Sequence, residues 1–334
     1  MDKQDGMRIF KPMNKAVGEP VHRMAVFDIG SNTVKVLAVE APSSPKEDYP
    51  VLLELAETTR LGEGIRRDFE LKPAAMRRTI EVLLHFKQKC RALGVEQCCA
   101  FATSALRDAA NSGQFDALFQ KAMGFPFRIL HGNQEAELIF RGAVSDPRLA
   151  GRGRNVLVMD VGGGSAEWIK GKNGQPSRCV SLNLGCVRMT ERFLRGDPFT
   201  EESWQSLMAH YREELEPLRR DFALRNGRLI GTGGSISVSM AVHLHFFSTR
   251  NPAVHGAKFT LSELHSLLDT LRRMTQAQRI LIENLSPKRA DIIVAGLSLF
   301  AAAMETFKMG ELTVSLRGLR YGALSDPSFF VVLR

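Results

Sequence analysis

Cysteine is scarce: five residues in 334, and none forms a Cys-x-x-Cys pair. Cys90, Cys98, Cys99, Cys179 and Cys186 are odd in number, and adjacent Cys98 and Cys99 suit neither a zinc site nor an easy disulfide. A reducing compartment, with the thiols as core filler, is expected. Long apolar runs are also missing. The longest nearly uncharged stretch towards the C-terminus, Ile292–Met304, has thirteen residues. A bilayer span needs about 20, so this stretch reads as a buried core helix and no membrane association is expected. Residues 1–22 hold no apolar core of signal-peptide length and read as an N-terminal tail, which gives a cytoplasmic expectation. The chain has no GxxxxGK[ST] and no HExxH, and Gly151–Arg152–Gly153 belongs to no strand-borne GxGxxG, so P-loop, zincin and Rossmann readings fall away. His243 and His245 lie two apart, do not share a helix face, and read as packing or surface residues.

What remains is an ordinary globular composition, 44% hydrophobic and 24% charged, on a chain too long for one core. Two domains are expected. Lys plus Arg outnumber Asp plus Glu by 45 to 36, a net charge of +9. An excess of this size points to a polyanionic partner.

The chain reads as α/β. Met24–Asp28 and Val34–Val39 are apolar runs on either side of Gly30–Ser31–Asn32–Thr33, as in a hairpin. Residues 41–50 carry three prolines and two serines and read as a loop, followed by a strand over 51–59. Pro73 opens a helix with Met76, Ile80, Leu83, Leu84 and Cys90 on one face and Gly94 as its stop. A strand at 98–103 precedes a helix start at Ser104 that carries Arg107. Asn155–Asp160 then repeats the opening pattern: an apolar strand ends in aspartate, breaks at Gly162–Gly163–Gly164–Ser165 and resumes by Trp168. Asp28 and Asp160 lie 132 residues apart, about one domain, as in a duplication. Helices are expected over 201–224 and 261–273, the second with a Thr260/Glu263 capping box. A last long helix is expected from Pro287 with Ser286 as its cap, and a strand over 313–316.

A third strand-to-glycine break falls at Gly231–Thr232–Gly233–Gly234–Ser235. Amides at such turns converge on anions because no Cβ blocks the approach. An aspartate beside a phosphate-binding turn is repulsive unless a cation lies between, which points to Mg²⁺ held by one or two carboxylates, water and phosphate oxygens. Glu167, seven residues beyond Asp160, is placed to face the same region.

The segments VFDIGSNTVKVLAVE (26–40), RLGEGI (60–65), FATSALRDAAN (101–111), GNQEAELIFRGAV (132–144), VLVMDVGGGSAEWIKG (156–171), SLNLGCVRMTERF (181–193), LIGTGGSI (229–236) and 290–324 resemble, in order, the exopolyphosphatase / guanosine pentaphosphate phosphohydrolase (Ppx/GppA) family. The resemblance implies two ribonuclease-H-like domains of the actin, Hsp70 and sugar-kinase superfamily with a cleft between them. Their expected limits are 23–132 with about 317–334 for the first and 133–316 for the second. It implies the short form of the family, without a further helical region. It implies hydrolysis of a terminal phosphoanhydride, with inorganic polyphosphate as the leading substrate and pppGpp as the alternative.

Roles carried over by the match are Glu135 as general base with Arg107 as catalytic partner. Asp160, Glu167 and Asp28 become metal-linked acids, and Ser31, Asn32, Gly162, Gly163, Gly164, Ser165, Gly233 and Arg320 become phosphate-binding groups. Lys288, Arg289 and Arg317 are further basic residues along the expected path. A homodimer is implied only at family level, and nucleic acid is the weaker polyanion. The chain departs from the family pattern at Ala166, where threonine is common, at Trp168, where a smaller aliphatic is usual, and at Arg188. Ala166 motivates a further alternative, a non-hydrolytic polyphosphate or alarmone sensor. A sugar-kinase-like enzyme is disfavoured by GNQEAELI.

Overall fold

The computed structural model describes residues 22–42, 47–65, 69–150, 153–224, 226–245, 248–249 and 251–333. The expected N-terminal tail, apart from His22, and much of the 41–50 loop lie outside the described residues. Contacts divide the chain into one unit that runs to Leu130 and resumes at Asp326, and another spanning His131–Ser325.

In the first unit the β-branched and aromatic runs form β1 (Arg23–Ile29), β2 (Thr33–Glu40), β3 (Val51–Thr58), β4 (Gln97–Ala102) and β5 (Arg128–Ile129). Antiparallel β1–β2–β3 continues through parallel β4, which β5 and the terminal Val331–Val332 strand flank. The helix opened by Pro73 runs to Ala92. Its buried stripe is Met76, Thr79, Leu83, Phe86 and Cys90, while Ile80 and Leu84 sit half-buried beside it. The stripe is thus rotated towards Phe86.

The second unit repeats the plan with β6 (Asn155–Val161), β7 (Ala166–Lys172), β8 (Gln175–Leu182), β9 (Arg228–Thr232), β10 (Lys258–Thr260) and β11 (Glu311–Val314), in the order β10–β11–β9–β6–β7–β8. The antiparallel β6–β7–β8 meander with parallel β9 beside β6 matches β1–β2–β3 with β4 beside β1. The match extends to single bonds: the Gly30 amide donates to the Thr33 carbonyl at 3.2 Å, and the Gly162 amide to that of Ser165 at 3.0 Å.

Three sequence expectations change. The helix expected over 201–224 stops at Leu215, and Pro217 turns it into a 3-10 segment (Glu216–Leu218) and a short helix (Arg219–Phe222), because proline offers no N–H to the preceding turn. The last long helix begins at Ile293, not at Pro287. Residues 286–292 instead form turns, and the Ala290 carbonyl accepts from Arg279 Nε at 2.7 Å. The return to the first unit falls at Asp326 rather than 317, because the helix Leu319–Leu324 packs against Gly132–Ala143 of the second unit. A Cβ on Gly322 would fall on the Leu138 carbonyl, and one on Gly142 on that of Gly318. Ile293–Thr306 is buried almost all round, as expected of a core helix. No helix of the described residues is long and apolar enough to cross a membrane, and all five cysteines are free thiols.

Candidate active site

Glu135 lies in the first turn of the helix Gly132–Ala143, where the helix dipole favours a carboxylate, and is 6% exposed. The GNQEA segment explains its placement residue by residue. A Cβ on Gly132 would meet Ser181 Cβ at 2.8 Å, so only glycine lets the helix start this close to β8. Asn133 Oδ1 accepts from Cys179 Sγ on the same strand at 3.5 Å. Gln134 closes the N-terminus, its Oε1 accepting from the His131 amide at 3.0 Å.

The strand that receives this helix also holds Glu167. Ser181 Oγ donates to Glu167 Oε1 at 2.8 Å. Glu167 is fully buried and directly opposite Asp160 in the β6/β7 ladder. Its other oxygen, Oε2, has no hydrogen-bond partner within the protein. Burial, then the negative charges of Glu135 and Asp160, push the Glu167 carboxyl well above the usual range, and only the Ser165 and Ser181 hydroxyls oppose this. The charges of Glu135 and Asp160 are thus both felt at Glu167. Among the described residues no three His, Cys, Asp or Glu side chains converge as a ready-made metal cage. An orphaned carboxylate oxygen beside a second acid instead fits a hard cation that takes one or two carboxylates and keeps oxygen ligands from water or substrate.

Beside these acids lies the Gly162–Ser165 turn. The carbonyls of Gly162, Gly163 and Gly164 are all taken from behind. Gly162 O accepts from Cys186 N, Gly163 O from the amides of Val187 and Arg188, and Gly164 O from Gly185 N. Arg188 Nε adds a bond to Gly164 O at 2.9 Å. In a trans peptide the following N–H points opposite to the carbonyl, so the amides of Gly163, Gly164 and Ser165 face away from that segment, as an anion cradle requires. The first unit does the same. Asn32 O accepts from the amides of Thr59 and Arg60, and Ser31 O from Gly62 N, so RLGEGI is the counterpart of LGCVR. Ser31 Oγ meets Ser104 Oγ at 2.7 Å. At the third break Gly233 has φ +93°, and a Cβ there would come within 2.6 Å of Asp160 Oδ1. Arg289 packs its guanidinium on Gly234, where burial lowers its pKa.

The remaining expected groups are placed as follows. Asp28 faces Lys35 across β1/β2, with Oδ2 3.7 Å from Nζ. Arg107 Nη1 donates to the Leu130 carbonyl at 2.8 Å. Arg320 lies on the helix Leu319–Leu324, which the glycine contacts fasten to the helix of Glu135. Ala166 and Trp168 both point into the apolar core of their unit, away from the face of Glu167. The missing threonine hydroxyl is therefore no loss to the acids, and the motive for the sensor reading weakens. Ser181 and Lys35 were not singled out from the sequence, although strand alternation puts each on the face of the acid it meets.

Residues 41–327 match the Ppx/GppA phosphatase family. The chain belongs to that family. Exopolyphosphatase 2 of Mycobacterium tuberculosis is 30% identical over 305 residues, which span 88% of this chain and 94% of that protein. The crystal structure of the Aquifex aeolicus Ppx/GppA family member is similar at a TM-score of 0.76 and 28% identity, over 91% of this chain and 97% of that one. That of an exopolyphosphatase from Cytophaga hutchinsonii reaches 0.83 at 25% identity, with the same coverage. The fold is accordingly the α/β type of two ribonuclease-H-like units found in the actin, Hsp70 and sugar-kinase superfamily, and the Ppx/GppA chain is an enzyme of the phosphoanhydride hydrolase class.

Proposed function

We propose that this Ppx/GppA chain is an exopolyphosphatase that releases orthophosphate from the end of inorganic polyphosphate with the help of Mg²⁺. The observation that carries the reading is buried Glu167, with its Oε2 unpartnered, directly opposite Asp160 and beside a glycine turn whose carbonyls are all occupied. Such a pair is electrostatically incomplete without a cation, and such a turn without an anion.

Phosphoryl transfer to water asks mainly for positioning and charge compensation. Asp160 and Glu167 would hold the Mg²⁺, which when bound would offset charge on the phosphate oxygens. The amides of Gly163, Gly164 and Ser165, the Gly233 turn and Arg320 bind the phosphates. Asp28 has an ammonium partner in Lys35, so its own part is to order the Ser31–Asn32 turn, which with Arg107 supplies further phosphate contacts. Glu135 accepts a proton from water as the water oxygen bonds to the terminal phosphorus; the bridging P–O bond breaks and the shortened chain leaves as phosphate. The net charge of +9 suits a polyanionic chain. A cytoplasmic setting and a homodimer belong to the same proposal.

The test is phosphate release with Mg²⁺ from long polyphosphate, tripolyphosphate, pppGpp and ATP, each offered separately. Release from polyphosphate is expected. Preferential release from pppGpp would move the substrate to the nucleotide within the same chemistry, and binding of every compound without release would overturn the enzyme reading.

A further inference from the structure

The segment that leads to Arg320 is fastened to several other segments of the second unit. The Ser315 amide donates to the Gly231 carbonyl at 2.8 Å, and Thr232 Oγ1 donates to the Arg317 carbonyl at 3.1 Å. Between them the Leu316 amide donates to a side chain, His255 Nδ1, at 3.1 Å. The other ring nitrogen, Nε2, lies 3.1 Å from Asp146 Oδ2. Both side chains are nearly buried, at 11% and 4% exposure.

These contacts fix the tautomer. Nδ1 accepts, so it carries no proton. Asp146 accepts from Arg148 through both carboxylate oxygens, which holds its carboxyl well below the usual range, so it is an acceptor and Nε2–H donates to it. The neutral imidazole satisfies both neighbours. A protonated ring would set Nδ1–H against the Leu316 N–H. The charged groups facing His255 are Asp146, which favours the proton, and Arg148 and Arg317, which oppose it. Burial is the largest influence and keeps the ring neutral below the ordinary histidine value of 6.5.

We propose that neutral His255 is a positioning residue that holds Leu316–Arg320 for phosphate binding, and that its protonation releases this segment. The proposal rests on the reading of Arg320 as a phosphate ligand. Both the Leu316 bond and the contact to Asp146 join positions far apart in sequence, so His255 ties the end of the Glu135 helix region to the Arg320 loop.

The experiment uses the full chain with Glu135→Ala, to measure binding without hydrolysis. Tripolyphosphate affinity is followed by calorimetry from about pH 8 to about pH 5, the range in which histidine titrates. Adding His255→Asn keeps an acceptor at the Nδ1 position without a titrating ring. His255→Ala removes it. On acidification the parent is expected to lose about tenfold more affinity than the Asn variant, the scale of one hydrogen bond to a positioned segment, and the Ala variant to bind about tenfold more weakly than the Asn variant at every pH. Parallel curves for parent and Asn variant, or an Ala variant that binds as tightly as the parent at about pH 8, would overturn the positioning role. Histidine NMR on the wild-type chain, with H255N for assignment, checks the pairing without substrate: the Nε2–H tautomer and titration below 6.5 are expected. A proton on Nδ1 at neutral pH would overturn the pairing itself. The expected tautomer together with no binding of any phosphate chain would instead sink the phosphate reading, and the positioning role with it.

Discussion

Asp160 lies directly across the β6/β7 ladder from Glu167, whereas Asp28, at the equivalent position of the β1/β2 ladder, lies across from Lys35. The duplicated hairpin thus carries its own cation in one copy and two acids in the other. A buried carboxylate facing a second acid is costly unless a proton or a metal ion intervenes, so the second copy is the one to which the proposed function assigns the divalent ion. That contrast leads to the first prediction.

Without metal, stability should fall as pH rises. The folded-state pKa of Glu167 is raised above the ordinary 4.5, so the folded protein binds the proton more tightly than the unfolded chain. The stabilisation is complete below about pH 4.5 and disappears as pH climbs through the raised value. Melting curves with EDTA should show this decline, saturating Mg²⁺ should reverse it, and Glu167→Gln should melt higher than wild type in EDTA at neutral pH and gain little from Mg²⁺. An equal gain from Mg²⁺ in the variant would remove Glu167 from the metal site.

Glu135→Ala should lower kcat by about 10²–10⁴-fold, the usual contribution of a positioned general base, while tripolyphosphate still binds. Turnover at the wild-type rate would refute its assignment.

Arg188 fixes the back of the Gly162–Ser165 turn through Gly164 O. Arg188→Met should raise KM for polyphosphate by about tenfold, as the turn amides lose their common direction, with a smaller change in kcat. An unchanged KM would mean that the backbone bonds from Gly185 to Arg188 suffice.

Gly322→Ala places a methyl group on the Leu138 carbonyl. Overpacking of this kind costs about 1–3 kcal/mol, and here it parts the Arg320 helix from the helix of Glu135. Urea denaturation should show the loss of stability, and kcat should fall although neither reacting group is altered. Wild-type stability would mean that the helices separate without cost.

Much of the candidate site was legible because it is local. A strand ending in aspartate, a glycine turn and an acid seven residues on are set by strand alternation and turn chemistry, so Asp160, Gly162–Ser165 and Glu167 could be named from sequence, and the 132-residue repeat pointed to Asp28 and the Gly30–Thr33 turn as counterparts of the first two, but not to Lys35 opposite Asp28. The resemblance supplied Glu135, and the fold then showed why its motif reads Gly-Asn-Gln-Glu. The failures were also local in form. Proline at 287 looks like a helix start, but Arg279 claims the Ala290 carbonyl from another element. What only the tertiary structure decided is direction and pairing: which way the turn carbonyls point, that Ala166 faces the core, and that His255 meets both Asp146, 109 residues away, and Leu316, 61 residues away. Hydrogen bonds between distant segments leave no spacing in the sequence, because their geometry exists only once the core of the unit has packed.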